Sequence, residues 1–218
     1  MSRYAPGLLL VLALCLSAGC RTRPETPEDR AGRYMESAAQ KKRAGDLEGA
    51  LHDLDLALSI IPESDHVLVR RGTVYAEMGE IEGALKDFDR AISMDPYNAS
   101  AYIGRAMLRT RQKDFEGALE DLDHAVELAA DLPQVYLARG MTLALSGRTK
   151  EAIQDLSLAI EMNPGLTEAY LRRAYAYMAL RDNERAARDL RFVADHSADP
   201  LIVERANTLL AQIYLGNP

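Results

Sequence analysis

The sequence predicts an all-α solenoid of five helical hairpins in series, closed by one further helix at its C-terminal end. First, from residue 31 onward the sequence overlays itself when shifted by 34 residues, so that Ala50, Ala84, Ala118, Ala152 and Ala186 coincide, as do Leu54, Phe88, Leu122, Leu156 and Leu190. Second, the apolar positions inside each unit recur at intervals of three and four, which places them on one face of a helix. Third, the units break once in the middle, as at Gly45-Asp46, Gly79-Glu80 and Gly147-Arg148, and three of them close with Pro62, Pro96 or Pro164. Glycine suits the left-handed residue that ends a first helix, and proline stops the second from continuing.

Residues 7–19, GLLLVLALCLSAG, are apolar or small, stand behind Arg3 and are followed by the charged run RTRPETPEDR. As a helix they would span about 20 Å, short of the ~30 Å hydrocarbon layer, so residues 1–19 read as a secretory signal rather than a membrane-spanning anchor. The stretch Leu16-Ser17-Ala18-Gly19-Cys20 resembles the lipobox of bacterial lipoproteins. That resemblance implies cleavage before Cys20 and a diacylglyceryl group on its thiol. The other cysteine, Cys15, lies inside the discarded segment, so the mature chain is expected to carry no internal disulfide. Residues 20–30 contain Pro24 and Pro27 among acids and arginines and read as a lipidated tether, with a reach of about 35 Å.

Residues 31–200 hold the five units. Small residues at the eighth place (Ala38, Gly72, Ala106, Gly140, Ala174) are expected to face the alanine at the twentieth, letting the two helices of a hairpin approach closely. Residues 201–218 form the last element. Ile202, Ala206, Leu209, Ile213 and Tyr214 make one apolar face, with Asp199 placed to cap the helix and Pro200 in its first turn. A helix there would cover the open end of the array.

These residues resemble the tetratricopeptide repeat (TPR), and the second unit is the best copy, with Gly72, Tyr75, Ala84, Phe88, Ala91 and Pro96 at the family's places. Lys113 and Arg181 depart from it where glycine is expected, as do Lys41, Arg109 and Leu143 where tyrosine is usual. The resemblance implies a right-handed solenoid whose concave face, built mainly by first helices, binds a protein or peptide. Carried over by place, the groove would be floored by Val69, Ile103, Met107, Leu137, Met141, Leu171, Tyr175 and Met178, with His66, Ser100, Gln134 and Glu168 along its rim. The Lys, Asn and Arg set with which co-chaperone members hold a terminal carboxylate is absent. An apolar floor rich in methionine suits the nonpolar side of a helix or an extended peptide.

Other chemistries find little support. The net charge is -7 and Lys41-Lys42-Arg43 is the only basic triplet, which argues against a nucleic-acid partner. The pair Asp87 and Asp89 looks like a metal site until Asp53, Asp121, Asp155 and Asp189 are seen at the same place as Asp87, while the second acid drifts to Ser157 and Arg191. His52, His66, His124 and His196 fall at different places in different units, so no zinc site is expected. With no phosphate loop, nucleophile elbow or calcium loop, neither a cofactor nor catalysis is expected.

One polar pattern remains. Arg71, Arg105, Arg139 and Arg173 share the seventh place, and the register inferred from the ends of the array pairs each with the aspartate of the preceding unit: Arg71 with Asp53, Arg105 with Asp87, Arg139 with Asp121 and Arg173 with Asp155. The first unit has Ser37 there and no predecessor, and Asn207 would serve Asp189. The expected function is a non-catalytic interaction scaffold or assembly factor, held by its lipid to the bacterial envelope. Arg21 after the cysteine leans toward the outer membrane, facing the periplasm. A pilotin-like escort of secretin or pilus components, or an adaptor for peptidoglycan enzymes, fits the same features.

Overall fold

The structure is a computed structural model that describes residues 25–215. The expected signal, Cys20 and the tether as far as residue 24 lie outside the described residues. Eleven helices follow one another: α1 (Pro27–Arg43), α2 (Leu47–Ile60), α3 (Asp65–Met78), α4 (Ile81–Met94), α5 (Ala99–Arg111), α6 (Phe115–Leu128), α7 (Pro133–Leu145), α8 (Thr149–Met162), α9 (Thr167–Ala179), α10 (Asn183–His196) and α11 (Pro200–Leu215). Each packs on its neighbours in sequence, and the first helices of successive hairpins also meet, α3 with α5, α5 with α7 and α7 with α9. That second set of contacts lays the odd-numbered helices side by side as one wall.

The first helix begins earlier than the repeat register suggests. Thr26 accepts a hydrogen bond from the Asp29 amide at 3.1 Å, and Asp29 accepts one from the Thr26 amide at 2.9 Å, a reciprocal cap with Pro27 in the first turn. The run Thr-Pro-Glu-Asp is therefore a helix start, although it holds no apolar side chain. Residues 27–30 belong to the solenoid rather than to the tether.

All five hairpin turns share one backbone. Gly45, Gly79 and Gly147 have φ of 82°, 84° and 86°, and Lys113 and Arg181 adopt the same left-handed region at 64° and 60°. In each turn the next amide returns to a carbonyl five residues earlier, as from Glu80 to Tyr75 and from Asp114 to Arg109, both at 2.9 Å. The bonding pattern that ends a helix is thus kept even where its usual glycine is missing, at a strain of about 1–2 kcal/mol per substituted turn. Asp46, Asp114 and Asp182 then cap the second helices, while Glu80 and Arg148 make no side-chain cap.

Close approach within the hairpins follows the expected places. A Cβ added at Gly72 would lie 3.1 Å from the Phe88 ring and 3.3 Å from the Ala84 carbonyl oxygen, and one at Gly140 would lie 2.8 Å from Leu156. The alanines at the twentieth place and the Leu or Phe at the twenty-fourth are all buried. Each of the larger side chains contributes about 1.5–3 kcal/mol. At the C-terminal end Ala206 is buried, and Ile202, Leu209, Leu210 and Ile213 pack into a cluster with Leu190 and Val193. The helix therefore caps the array. Tyr214 does not share that face; it is 59% exposed, with the Arg191 guanidinium 5.7 Å from its ring centre.

Candidate functional site

The arginines pair inside their own hairpins, which corrects the register inferred from the sequence. Arg71 binds Asp87 through both Nε and Nη2, at 2.7 and 2.8 Å, and not Asp53. Arg105 grips Asp121 at 3.0 and 2.6 Å, Arg139 grips Asp155 at 2.7 and 3.0 Å, and Arg173 grips Asp189 at 2.8 and 2.9 Å. The pairs Arg105–Asp87, Arg139–Asp121 and Arg173–Asp155 do not form. The seventh and twenty-third places lie on facing helices of one hairpin, so the fork closes across that short gap.

The reasoning from the ends of the array fails for a specific cause. Asp53 is not left alone at the first hairpin, because Ser37 donates to it at 2.6 Å and Lys41 reaches it at 2.7 Å. Burial opposes the charge on Asp53, but these hydrogen bonds outweigh it and hold the carboxyl below its ordinary value.

The second acid of each Asp-x-Asp pair also has a role. Nη1 of Arg71 reaches back to Asp55 at 2.7 Å, that of Arg105 to Asp89 at 2.7 Å, and that of Arg139 to Asp123 at 2.9 Å. Ser157 takes this position for Arg173, at 2.9 Å. Each arginine therefore joins its own hairpin to the preceding one. The hydrogen bonds they donate to Asp87, Asp121 and Asp155 raise the pKa values of Arg71, Arg105 and Arg139 further, so the forks stay charged at any ordinary pH. Tyr102, Tyr136 and Tyr170 lie under three of these guanidinium groups at 5.5–5.7 Å.

On the wall of first helices, two apolar recesses flank α3. One, about 180 Å³, lies between α1 and α3 and is lined by Met35, Ala39, Val69 and Thr73 with Lys42 and Arg70 at its edge. The other, about 420 Å³, lies between α3 and α5, where Val69, Ala76, Ile103 and Met107 surround the Phe88 ring. Glu77, Ser100, Arg111 and Gln134 stand at its margin. Phe88 reaches this recess because Gly104 has no side chain; a Cβ there would sit 2.4 Å from the ring. Lys42 and Glu77 join the two margins at 2.6 Å.

Val69, Ile103 and Met107 thus line an open recess, and the sequence reading placed them there. Leu137 is half-buried against the cluster of Tyr136, Ala159, Ile160 and Ala169, and Met141 is half-buried on α7. The α9 part of the expected floor is not free. Leu171 is 5% exposed, and Tyr175 and Met178 belong to the cluster that receives Leu209, Leu210 and Ile213 from α11. Arg205 also donates to the Tyr175 hydroxyl. The cause is α11, which follows α9 along the wall as a sixth first helix would and fills that end of the stripe.

Sequence reasoning missed Met35, Ala39 and Lys42, although the 34-residue register assigns them the same places as Val69, Thr73 and Ala76. It also missed Phe88, whose signal was the glycine inside α5. All four histidines are exposed, and no group of three or more potential ligands that could hold a metal occurs among the described residues. No helix there is long and apolar enough to cross a membrane.

Comparisons with known proteins agree with this geometry. Two tetratricopeptide-repeat family models match the chain, over residues 69–133 and 133–166. A comparison with proteins of curated function gave no match. Among solved structures, the TPR protein TTC0263 of Thermus thermophilus is similar with a TM-score of 0.76 at 19% identity, over 83% of this chain and 98% of that one. PilF of Pseudomonas aeruginosa is similar at 0.71 and 18% identity, over 87% and 91%. YrrB, described as a TPR protein with an unusual peptide-binding site, is similar at 0.56 and 24% identity, over 82% and 92%. Residues 69–166 are therefore tetratricopeptide repeats, and the described chain as a whole folds as a TPR solenoid.

Proposed function

We propose that this chain is a non-catalytic scaffold that holds a protein or peptide partner on the wall of first helices, and that it is held to the bacterial envelope by a lipid on Cys20. TPR proteins are in general interaction scaffolds. The observation that carries the reading here is the pair of open apolar recesses flanking α3. Apolar side chains left uncovered beside polar margins suit a partner's nonpolar face. That YrrB is described as having a peptide-binding site supports the same use of the fold.

The test of the scaffold is a comparison of partners captured from detergent-solubilised envelopes by the wild-type chain and by Met107→Glu combined with Met141→Glu. Both side chains are half-buried, so helicity and melting should change little while capture is lost. Capture unchanged in the double variant, with the fold intact, would overturn the groove reading.

The anchor rests on the lipobox resemblance at Leu16–Cys20 and is tested separately. Mass spectrometry of the native N terminus should find an acylated Cys20, and Cys20→Ser should leave an unprocessed precursor. A variant still processed and membrane-bound like the wild type would remove the lipid anchor and, with it, the outer-membrane placement. A pilotin-like escort or a peptidoglycan-enzyme adaptor would use the same groove, and the identity of the captured partner decides between them.

A further inference from the structure

We infer that the segment held beside α3 is acidic as well as apolar: two bulky nonpolar side chains, one for each recess, flanked by carboxylates that Arg70 and Arg111 receive. The inference rests on the scaffold reading above and specifies the ligand of that site.

Two cations stand at the recesses without an acid of their own. Arg70 edges the α1–α3 recess and Arg111 the α3–α5 recess; both are exposed, and among the described residues neither has a carboxylate within ion-pair distance. Among the described residues the Arg111 guanidinium donates a single hydrogen bond, from Nη1 to the Ala76 carbonyl at 2.9 Å. Their neighbours differ. Lys42 is neutralised by Glu77 at 2.6 Å, and Arg105 and Arg109 both bind Asp121.

The fifth hairpin shows what Arg70 lacks. Arg172 occupies the same place as Arg70, and Glu168, one turn earlier on α9, binds its Nε at 2.6 Å. In α3 the corresponding residue is His66, which is exposed and lies 3.8 Å from Asp65 instead. The wall is thus self-satisfied on α9, where α11 has filled the groove, and unsatisfied on α3 and α5, where the groove is open. A carboxylate from a partner would take the role that Glu168 plays for Arg172.

Charge distribution sharpens the point. The net charge of -7 opposes the approach of an acidic segment in general, so its attraction would have to come from the cations without acid partners beside these apolar recesses. An apolar but basic segment would meet two uncompensated guanidinium groups there. The discrimination is therefore electrostatic, while the recesses shared through Val69 and Thr73 supply the adhesion.

The test uses fluorescein-labelled twelve-residue peptides, each with two leucines spaced by three, four or seven residues and flanked by aspartate, asparagine or lysine. Binding to the purified chain is read by anisotropy at 50 and 300 mM salt. The expected order is aspartate over asparagine over lysine, with an advantage of about fivefold for aspartate over asparagine at low salt, as two rim ion pairs would give. It should shrink at high salt. Arg70→Gln with Arg111→Gln should erase the preference, so that the aspartate and asparagine peptides bind the double variant equally. Equal binding of aspartate and asparagine peptides, or a preference that survives the double variant, overturns the acidic assignment but leaves the groove standing. Binding of any peptide that Met107→Glu does not weaken, or no binding by any peptide, overturns the site itself.

Discussion

Replacing Asp121 by alanine tests the pairing inside the hairpin. The carboxylate is almost wholly buried, with 3% side-chain exposure, and accepts from Arg105 through two bonds and from Arg109 through one. Stranding one partner of a buried pair costs about 3–5 kcal/mol. Here the loss is smaller, because Arg105 keeps Asp89 at 2.7 Å, Arg109 keeps the Gly117 carbonyl at 2.9 Å, and both guanidinium groups touch solvent. We expect about 2–3 kcal/mol for Asp121→Ala, and less than about 1 kcal/mol for Asp89→Ala, whose carboxylate is 58% exposed. Urea denaturation of Arg105→Met, Asp121→Ala and the double variant gives the coupling directly. A coupling of about 1.5 kcal/mol or more is expected for Arg105 with Asp121, and almost none for Arg105 with Asp87. Negligible coupling in the first cycle, or a larger one in the second, would refute the register.

Four further substitutions follow from the backbone, the core and the pairing of Asp53. Lys113→Gly and Arg181→Gly should each stabilise the fold by about 0.5–1 kcal/mol, the relief of the left-handed strain less the added freedom of the unfolded chain, as measured by thermal melting. Gly104→Ala should destabilise by about 1–3 kcal/mol, since its Cβ would sit 2.4 Å from the Phe88 ring; calorimetry and the near-ultraviolet signal of the core would report it. Because the folded-state pKa of Asp53 is lowered, its stabilising contribution is complete above the ordinary value of 3.8 and disappears as pH falls through the folded value. Lys41→Gln should move the Asp53 titration upward in a carbon-detected NMR series, and an unchanged midpoint would assign the effect elsewhere.

The helices, the five hairpins and the place of the close contacts were legible because repetition multiplies a weak signal. One glycine at place eight means little, but small residues at Ala38, Gly72, Ala106, Gly140 and Ala174 define a packing surface. Repetition also misled. The pairing of each arginine with the preceding hairpin was inferred from Ser37 and Asn207, yet Ser37 bonds Asp53 within its own hairpin and Asn207 is exposed on α11. A periodic sequence fixes which places are equivalent but not which of two neighbouring copies a side chain reaches; that depends on helix separation. The drift of the second acid to Ser157 read as noise for the same reason, though it is a bond between hairpins. That the chain's own tail could cover part of the stripe was open from the sequence, but which part depends on how α11, which lies outside the repeats, lands on them.

The substitution at Ser157 makes the array mechanically uneven. Between the first and second, second and third, and third and fourth hairpins, the arginine holds a carboxylate across the seam. Between the fourth and fifth it holds a neutral hydroxyl, so the bond there keeps the charge of the donor but loses that of the acceptor. In a linear array whose units contact only their neighbours, cooperativity is set by the weakest junction, not by the average. If that substitution sets the weakest junction, amide exchange should be faster along α9–α11 than along α3–α6, by no more than the ~1 kcal/mol that an exposed pair contributes. The recesses beside α3 lie on the far side of that seam, so an opening of the fifth hairpin would leave their lining in place.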